Sequence, residues 1–219
     1  GDTVAAFTLA EMMSYYLVVT GVDALTAVTD DDWQIAADIR DGQISQFRLK
    51  PIDYLRYRFC LFLSGRFIYT AIAFVPVTLF ILFQREYFVL PADAATLGLF
   101  LFSVGLTALL QFLISYTMAL LAFWILEIST FIFIMFALEH LAGGHLFPLD
   151  LLPAAVGQVL AFTPFPYQMY FPVSIYLGKT TGAELWQGLI IQLFWVTAAY
   201  LLARWVWRRG IRRYAAVGG

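Results

Sequence analysis

The chain has 219 residues, of which 62% are hydrophobic, 18% aromatic and only 13% charged, whereas a soluble domain carries about 25% charged residues. With a mean hydropathy of +0.80, this composition excludes a soluble globular domain and predicts an all-α, polytopic membrane protein. A single cysteine, Cys60, excludes an internal disulfide framework and a multi-cysteine metal site, and the formal net charge of −2 matters less than where Lys and Arg sit.

In chain order, the first apolar stretch runs from about Val4 to Val28. It is long enough to cross about 30 Å of hydrocarbon and has neither the basic n-region nor the small-residue cleavage site of a signal peptide. The long polar interruption follows, residues 30–58 (DDDWQIAADIRDGQISQFRLKPIDYLRYR). Its aspartates offer an N-cap for a short helix from about Trp33, and Gly42 is a natural stop. Such a helix is about 15 Å long, too short to span. It is suited to lying on a lipid surface or sitting in a socket on a soluble partner. Ile44, Phe47 and Leu49 continue as an irregular thread until Pro51 breaks it, and a helix restarts at Tyr54.

Four further windows are apolar enough to cross: residues 59–83, 94–116, 119–140 and 184–207. The middle two are fused. Residues 94–140 are 47 residues without Lys, Arg or Pro; as one helix they would measure about 70 Å, so two crossings with a turn near Ser115 to Thr117 are expected. Arg40, Arg48, Lys50, Arg56 and Arg58 lie in the polar interruption, and Arg204, Arg208, Arg209, Arg212 and Arg213 near the C-terminus, against Arg85 and Lys179 in the other connections. The positive-inside rule puts the first two regions, with the tail 208–219, in the cytoplasm and residues 84–93 and 143–182 outside. Parity then starts Gly1 outside, so a further crossing is expected upstream.

The segment LFPLDLLPAAVGQVLAFTPFPYQMYFP holds five of the eight prolines: Pro148, Pro153, Pro164, Pro166 and Pro172. No continuous spanning helix survives them. Residues 153–162 remain helix-compatible at the length of a re-entrant or interfacial helix, and broken backbone at membrane depth needs protein or a water-filled cavity around it.

Motifs that carry chemistry are sparse. Gly178 to Thr181 (GKTT) lacks the upstream glycine of a phosphate-binding loop, Val173 standing in that place. It reads as a turn. Glu139, His140 and His145 are candidate metal ligands, but two histidines five apart across a Gly-Gly turn match no common zinc spacing and no further ligand is evident; they read as an interfacial cap on the fourth span. Charges within spans are the stronger signal, since each costs about 2.5 to 3.5 kcal/mol on insertion scales. Asp23, Arg66 and Glu127 fall at similar depth, which predicts that Asp23 or Glu127 pairs with Arg66. Glu11 is expected to reach water. Tyr87, Phe88, Tyr167, Tyr170, Phe171 and Tyr176 on one side and Trp205 and Trp207 on the other fit interfacial belts. No catalytic triad, paired catalytic carboxylates, haem motif or internal repeat stands out.

The run DIRDGQISQFRLKPIDYLRYRF, then LLAFWILE, then HLFPLDLLPAAVGQVLAFTPFPYQMYFPVSIYLGK and the tail WQGLIIQLFWVTAAYLLARWVWRRGIRRYAAVGG resemble permease subunits of the ATP-binding-cassette type-2 transporter family. The combination of I-R-x-G (Ile39 to Gly42) before L-x-P (Leu49 to Pro51), a proline-rich outer hairpin and a Gly-Gly tail carries the resemblance over nearly the whole chain. It implies a six-span exporter permease of the bacterial inner membrane, here with five visible spans and a cytoplasmic C-terminus. The short helix from Asp32 to Gly42 then corresponds to the coupling helix, with Trp33, Ile35, Ala36, Ile39, Arg40, Asp41 and Gly42 meeting a separate ATPase subunit. The outer prolines correspond to a re-entrant hairpin. ATP and magnesium would be held by that ATPase, this chain carrying no cofactor or catalytic residue, and a second permease, identical or related, would complete the path. A membrane scaffold for a soluble partner and a membrane-embedded enzyme are the alternatives.

Overall fold

The computed structural model describes residues 9–28, 31–48, 52–83 and 90–217. The first residues of the first span, Leu49 to Pro51 with Lys50, and Arg85, Tyr87 and Phe88 lie outside the described residues. Within them the chain is helical, with no strand. Helix α1 spans Leu9–Thr26, α2 Asp31–Arg40, α3 Ile44–Arg48, α4 Tyr54–Phe83, α5 Ala94–Ala119, α6 Ser129–Ala142, α7 Ala154–Ala161, α8 Tyr170–Tyr176 and α9 Gly182–Val217.

Local chemistry sets most of these boundaries. The Asp32 carboxylate accepts the Trp33 amide at 2.8 Å in the first turn of α2, and the helix stops at Gly42, whose φ of 78° suits a residue without Cβ. Asp93 caps α5 by accepting the Thr96 amide at 2.7 Å. α7 falls inside the expected 153–162 window, and Pro172 is accommodated in the first turn of α8, where no intrahelical donor is needed.

The turn expected near Ser115 to Thr117 is not there. α5 passes unbroken through those residues, tightens into a 3-10 turn over Leu120–Phe123, and the chain reverses at residues 124–128. Thr117 returns its hydroxyl to the Leu113 carbonyl at 2.6 Å, and Phe112, Leu113, Tyr116 and Ala119 are buried together, so core packing outweighs the turn preference of Ser and Thr. At the real reversal the Glu127 carboxylate accepts the Ser129 amide at 3.0 Å and also the Ser129 hydroxyl, starting α6.

α5 is the central pillar. Its first half meets α9 at Ser103 and Gln192, and beyond its other end Phe123 packs on Trp207 and Tyr214, so α5 and α9 run parallel. One buried cluster gathers Ile35, Ile39, Phe62, Phe112, Leu120 and Val206 at the arginine-rich end. A second gathers Tyr15, Val22, Phe100, Met169, Val173 and Leu189 towards the other. Outward faces are as apolar as the core: on α4, Phe67 is 77% and Phe83 85% exposed, and α6 and α7 bury no residue. Two helical stretches, Ala94–Phe123 and Gly182–Tyr214, combine the length and hydropathy needed to cross a bilayer.

Gly210 brings α9 against this pillar: a Cβ there would stand 2.2 Å from Phe123 Cδ2 and 2.7 Å from its Cγ. Gly210→Val is expected to cost about 1–3 kcal/mol through overpacking, lowering the thermal midpoint of the detergent-solubilised protein. An unchanged midpoint would show that the two helices do not pack this closely.

Candidate functional site: a tethered short helix and the cavity behind it

The polar interruption folds onto the bundle. Ile35 and Ala36 are fully buried and Ile39 is 4% exposed, all within the cluster built on α5. Trp33, Arg40 and Asp41 are exposed and Gly42 is half-buried. This corrects the expected contact set: the apolar stripe of α2 seats the helix on its own bundle, because Phe112, Tyr116 and Leu120 offer it an apolar bed, and only the outer face is left for a partner.

A second connection ties α2 to α4. Asp38 forms an ion pair with Arg58 and also accepts the Tyr54 hydroxyl at 2.7 Å. Arg58 Nε donates to the Tyr54 oxygen at 3.0 Å and Nη1 to Gln34 Oε1 at 3.2 Å. The Arg58 side chain is 5% exposed and that of Asp38 24%. Tyr54 stacks on Trp207 of α9 with centroids 5.1 Å apart and rings 11° from parallel, and Asp53 pairs with Arg204 of the same helix. Partial burial pushes the Asp53 carboxyl up, but the hydrogen bond from Arg204 and the charges of Arg204 and Arg56 outweigh it and hold the group below the ordinary carboxylate value. Arg40 Nη1 donates to the Leu126 carbonyl at 3.3 Å, tying α2 to the α5–α6 reversal.

Behind α2 lies a cavity of about 630 Å³ between α1, α2, α5 and α6. Asp32 and Trp33 stand at one end and His145 at the other, with Gln111 and Ser115 of α5 and Phe133, Phe136 and Glu139 of α6 along the sides. His140 and His145 stack at 4.4 Å, and Glu139 accepts the Gln168 amide at 3.2 Å. Glu139, His140 and His145 therefore share one wall. Among the described residues no three His, Cys, Asp or Glu groups converge as a metal site.

Of the three charges expected in one cluster, Asp23 faces His145 at 3.7 Å and lies within electrostatic reach of Arg66 and His140. The Arg66 guanidinium lies 5.2 Å from the Tyr69 ring centre. Glu127 stands apart at the α5–α6 reversal, near Arg40, since α5 runs further than expected and carries it past the bundle interior. The structure thus relates Asp23 to Arg66 but not to Glu127.

The proline-rich segment is held by backbone contacts. The Tyr15 hydroxyl donates to the Gly144 carbonyl at 2.5 Å, the Tyr170 amide to Gly143 at 2.9 Å, and the Tyr16 hydroxyl to Leu146 at 2.8 Å. Gly144 has φ 92°, and a Cβ there would meet Tyr15 Oη and Tyr170 Cβ at 2.9 Å. Gln192 Nε2 reaches the Tyr167 carbonyl at 2.9 Å and the Ser103 carbonyl at 3.0 Å. Pro148, Pro166 and Pro172 are buried, Pro164 half-buried and Pro153 exposed. Gln111, Gln192 and Asp38 are not among the residues expected above; the two glutamines carry a signal, each being an isolated amide in an apolar run.

Helices with apolar outward faces, a short helix seated at one end and irregular backbone held at the other are the features of a helical membrane protein. More specifically, residues 1–218 match the family described as ABC-2 family transporter protein, and the chain belongs to that family as a permease. No curated protein and no solved structure matches it.

Two predictions follow from the tether. Arg58→Leu leaves Asp38 with the Tyr54 hydroxyl but without its cation, and is expected to destabilise the protein by on the order of 3 kcal/mol, with Asp38→Leu in the same chain restoring part of the loss; a thermal midpoint equal to wild type would refute it. Asp53 works on pH: its lowered folded value means its contribution is fully present above the unfolded value of about 3.9 and is lost as pH falls through the lower one. The stability gap between wild type and Asp53→Asn, measured by melting from pH 7 to pH 3, should therefore close only at the acid end.

Proposed function

We propose that this permease forms half of the path of an ATP-driven exporter of the bacterial inner membrane, with α2 as the foothold of a separate ATPase subunit. The observation that carries the reading is the tethering of α2. A short helix seated by Ile35, Ala36 and Ile39 and latched to α4 through Asp38 and Arg58 passes a push on its outer face to a long helix, not into a loose loop. That outer face comprises Trp33, Ala37, Asp41 and the following Gly42 and Gln43.

In this reading α1, α4, α5 and α9 cross the membrane, the 14-residue α6 together with the residues after it brings the chain back to the outer side, and the arginine-rich end faces the cytoplasm by the positive-inside rule. The segment from Gly143 to Gly182 lies outside as a re-entrant hairpin. Its irregular carbonyls at Gly143, Gly144 and Tyr167 each receive a protein donor, the condition for such backbone at membrane depth. ATP and magnesium belong to the ATPase, and a second permease completes the path. Nucleotide binding closes the ATPase pair, moves α2 and shifts the balance between inward and outward access, which requires different contacts in the two states. Export as the direction rests on family likeness.

The test is purification of the permease from its native membrane. An ATPase with Walker motifs is expected to accompany it, and the pair Ala37→Arg and Asp41→Arg to release that subunit while the permease keeps its thermal midpoint. Gln43→Cys should stay unlabelled by an impermeant maleimide applied to intact cells. Labelling from outside, or an ATPase that remains bound to the double variant, would overturn the assignment.

A further inference from the structure

We infer that the cavity between α1, α2, α5 and α6 is a cargo site and that its cargo is an amphipathic organic cation, an apolar body bearing a protonated or quaternary amine or an equivalent onium centre. The inference rests on the transport reading and adds the substrate class.

Size comes first. About 630 Å³ falls within the roughly 300–1,000 Å³ of pockets that hold drug-sized molecules. Charge comes next. The lining carries three carboxylates, Asp23, Asp32 and Glu139, and neither Lys nor Arg. Positive groups are near, Arg66 within electrostatic reach of Asp23 and the two histidines in the wall, but Arg66 is outside the lining. An anion entering here would meet three carboxyl groups and no lysine or arginine in the lining, in surroundings that screen charge less than water does.

Of the two unpartnered polar atoms among the described residues of the lining, the Gln111 oxygen only accepts, whereas the Ser115 hydroxyl can donate or accept. Gln111 is 6% exposed, lines the cavity and has its Oε1 without a hydrogen-bond partner; Ser115 Oγ, one turn further along α5, is likewise buried and unpartnered. A buried acceptor left unpaired is unfavourable; a cationic head with N–H groups supplies the missing donor, and a quaternary centre supplies a positive charge beside the oxygen without a hydrogen bond. The remaining wall is aromatic and aliphatic, with Phe133, Phe136, Trp33 and Met118, suited to an apolar body and to cation–π contact. The spread of the acceptors along the cavity, with no three metal-ligating groups converging among the described residues, fits an extended organic ion and not a chelated metal.

The experiment uses the full permease with whatever ATPase co-purifies, reconstituted in nanodiscs, and two probes of matched shape and opposite charge, tetraphenylphosphonium and tetraphenylborate. Quenching of tryptophan fluorescence, with Trp33→Phe as the control for a signal from the lining, reads saturable binding. Tetraphenylphosphonium should saturate, tetraphenylborate should not, and the near-isosteric pair Asp23→Asn and Glu139→Gln should weaken the phosphonium about tenfold or more, the size of one lost charge-assisted contact. Gln111→Leu, which keeps all three carboxylates, should weaken it about threefold to tenfold and stands as the second variant if the first does not fold. Equal phosphonium affinity in these variants, or saturable binding of the borate, overturns the cargo assignment. If an ATPase accompanies the protein while the cation does not bind, the cargo class fails and the transport reading stands; if the cation binds as described but no ATPase accompanies the chain, the transport reading fails and the cation site stands.

Discussion

The contact on which the arginine-rich end depends is the one between Asp38 and Arg58. A ten-residue helix is marginal in water, and α2 has only its apolar stripe to hold it by burial. Hydrophobic seating fixes depth but is non-directional; the Arg58 fork, with Asp38, Gln34 and the Tyr54 oxygen as its three acceptors, fixes the rotation of α2 relative to α4. Tyr54 then joins this unit to α9 by stacking on Trp207, and Asp53 repeats the connection through Arg204. Side-chain contacts thereby join α2, α4 and α9.

At the opposite end the limiting problem is the backbone itself. Five prolines and a Gly-Gly pair break the helical ladder, and the carbonyls it would have satisfied need donors from elsewhere in the chain. Tyr15, Tyr16 and the Tyr170 amide serve the Gly143 to Leu146 turn. Gln192 serves Tyr167 while bonding Ser103 and Thr107 across to α5. One amide side chain therefore joins α5, α9 and the proline-rich segment, and the parallel packing of the two long helices is fixed at the same point that holds the irregular segment in place.

Much of this was legible in the residues because it depends on local rules. Composition gave the class, Gly42 ended α2, and residues 153–162 fitted a short helix between prolines. The misread parts are those where tertiary contact overrides local preference. Ser115 and Thr117 look like turn residues, yet Phe112, Leu113 and Tyr116 bury enough apolar surface to carry the helix on, and the reversal falls where Glu127 caps Ser129. That shift of about two helical turns also moved Glu127 from the expected buried cluster to the edge. The stripe of Ile35, Ala36 and Ile39 was visible as a stripe, but a pattern of apolar residues does not say whether a partner or the chain's own bundle covers it. Gln111 and Gln192 were visible as isolated amides in apolar helices; only the fold separates the one that is satisfied from the one that faces a cavity with its oxygen unpaired.

The placement of the cavity links its two ends in the proposed cycle. Asp32 and Trp33 belong both to α2 and to the cavity wall, and Arg40, at the other end of α2, holds the Leu126 carbonyl at the base of α6. A displacement of α2 thus changes the cavity from two directions, by moving two of its lining residues and by pulling on the helix that carries Phe133, Phe136 and Glu139. No long chain of intermediates is required, because the lever and the wall share residues. For nucleotide on a partner to change affinity for cargo, the cargo must in turn favour one position of α2 by the same free energy. A cation held between Asp32 on α2 and Glu139 on α6 would meet that condition directly: closing the gap strengthens its attraction to both groups, and opening it weakens that attraction.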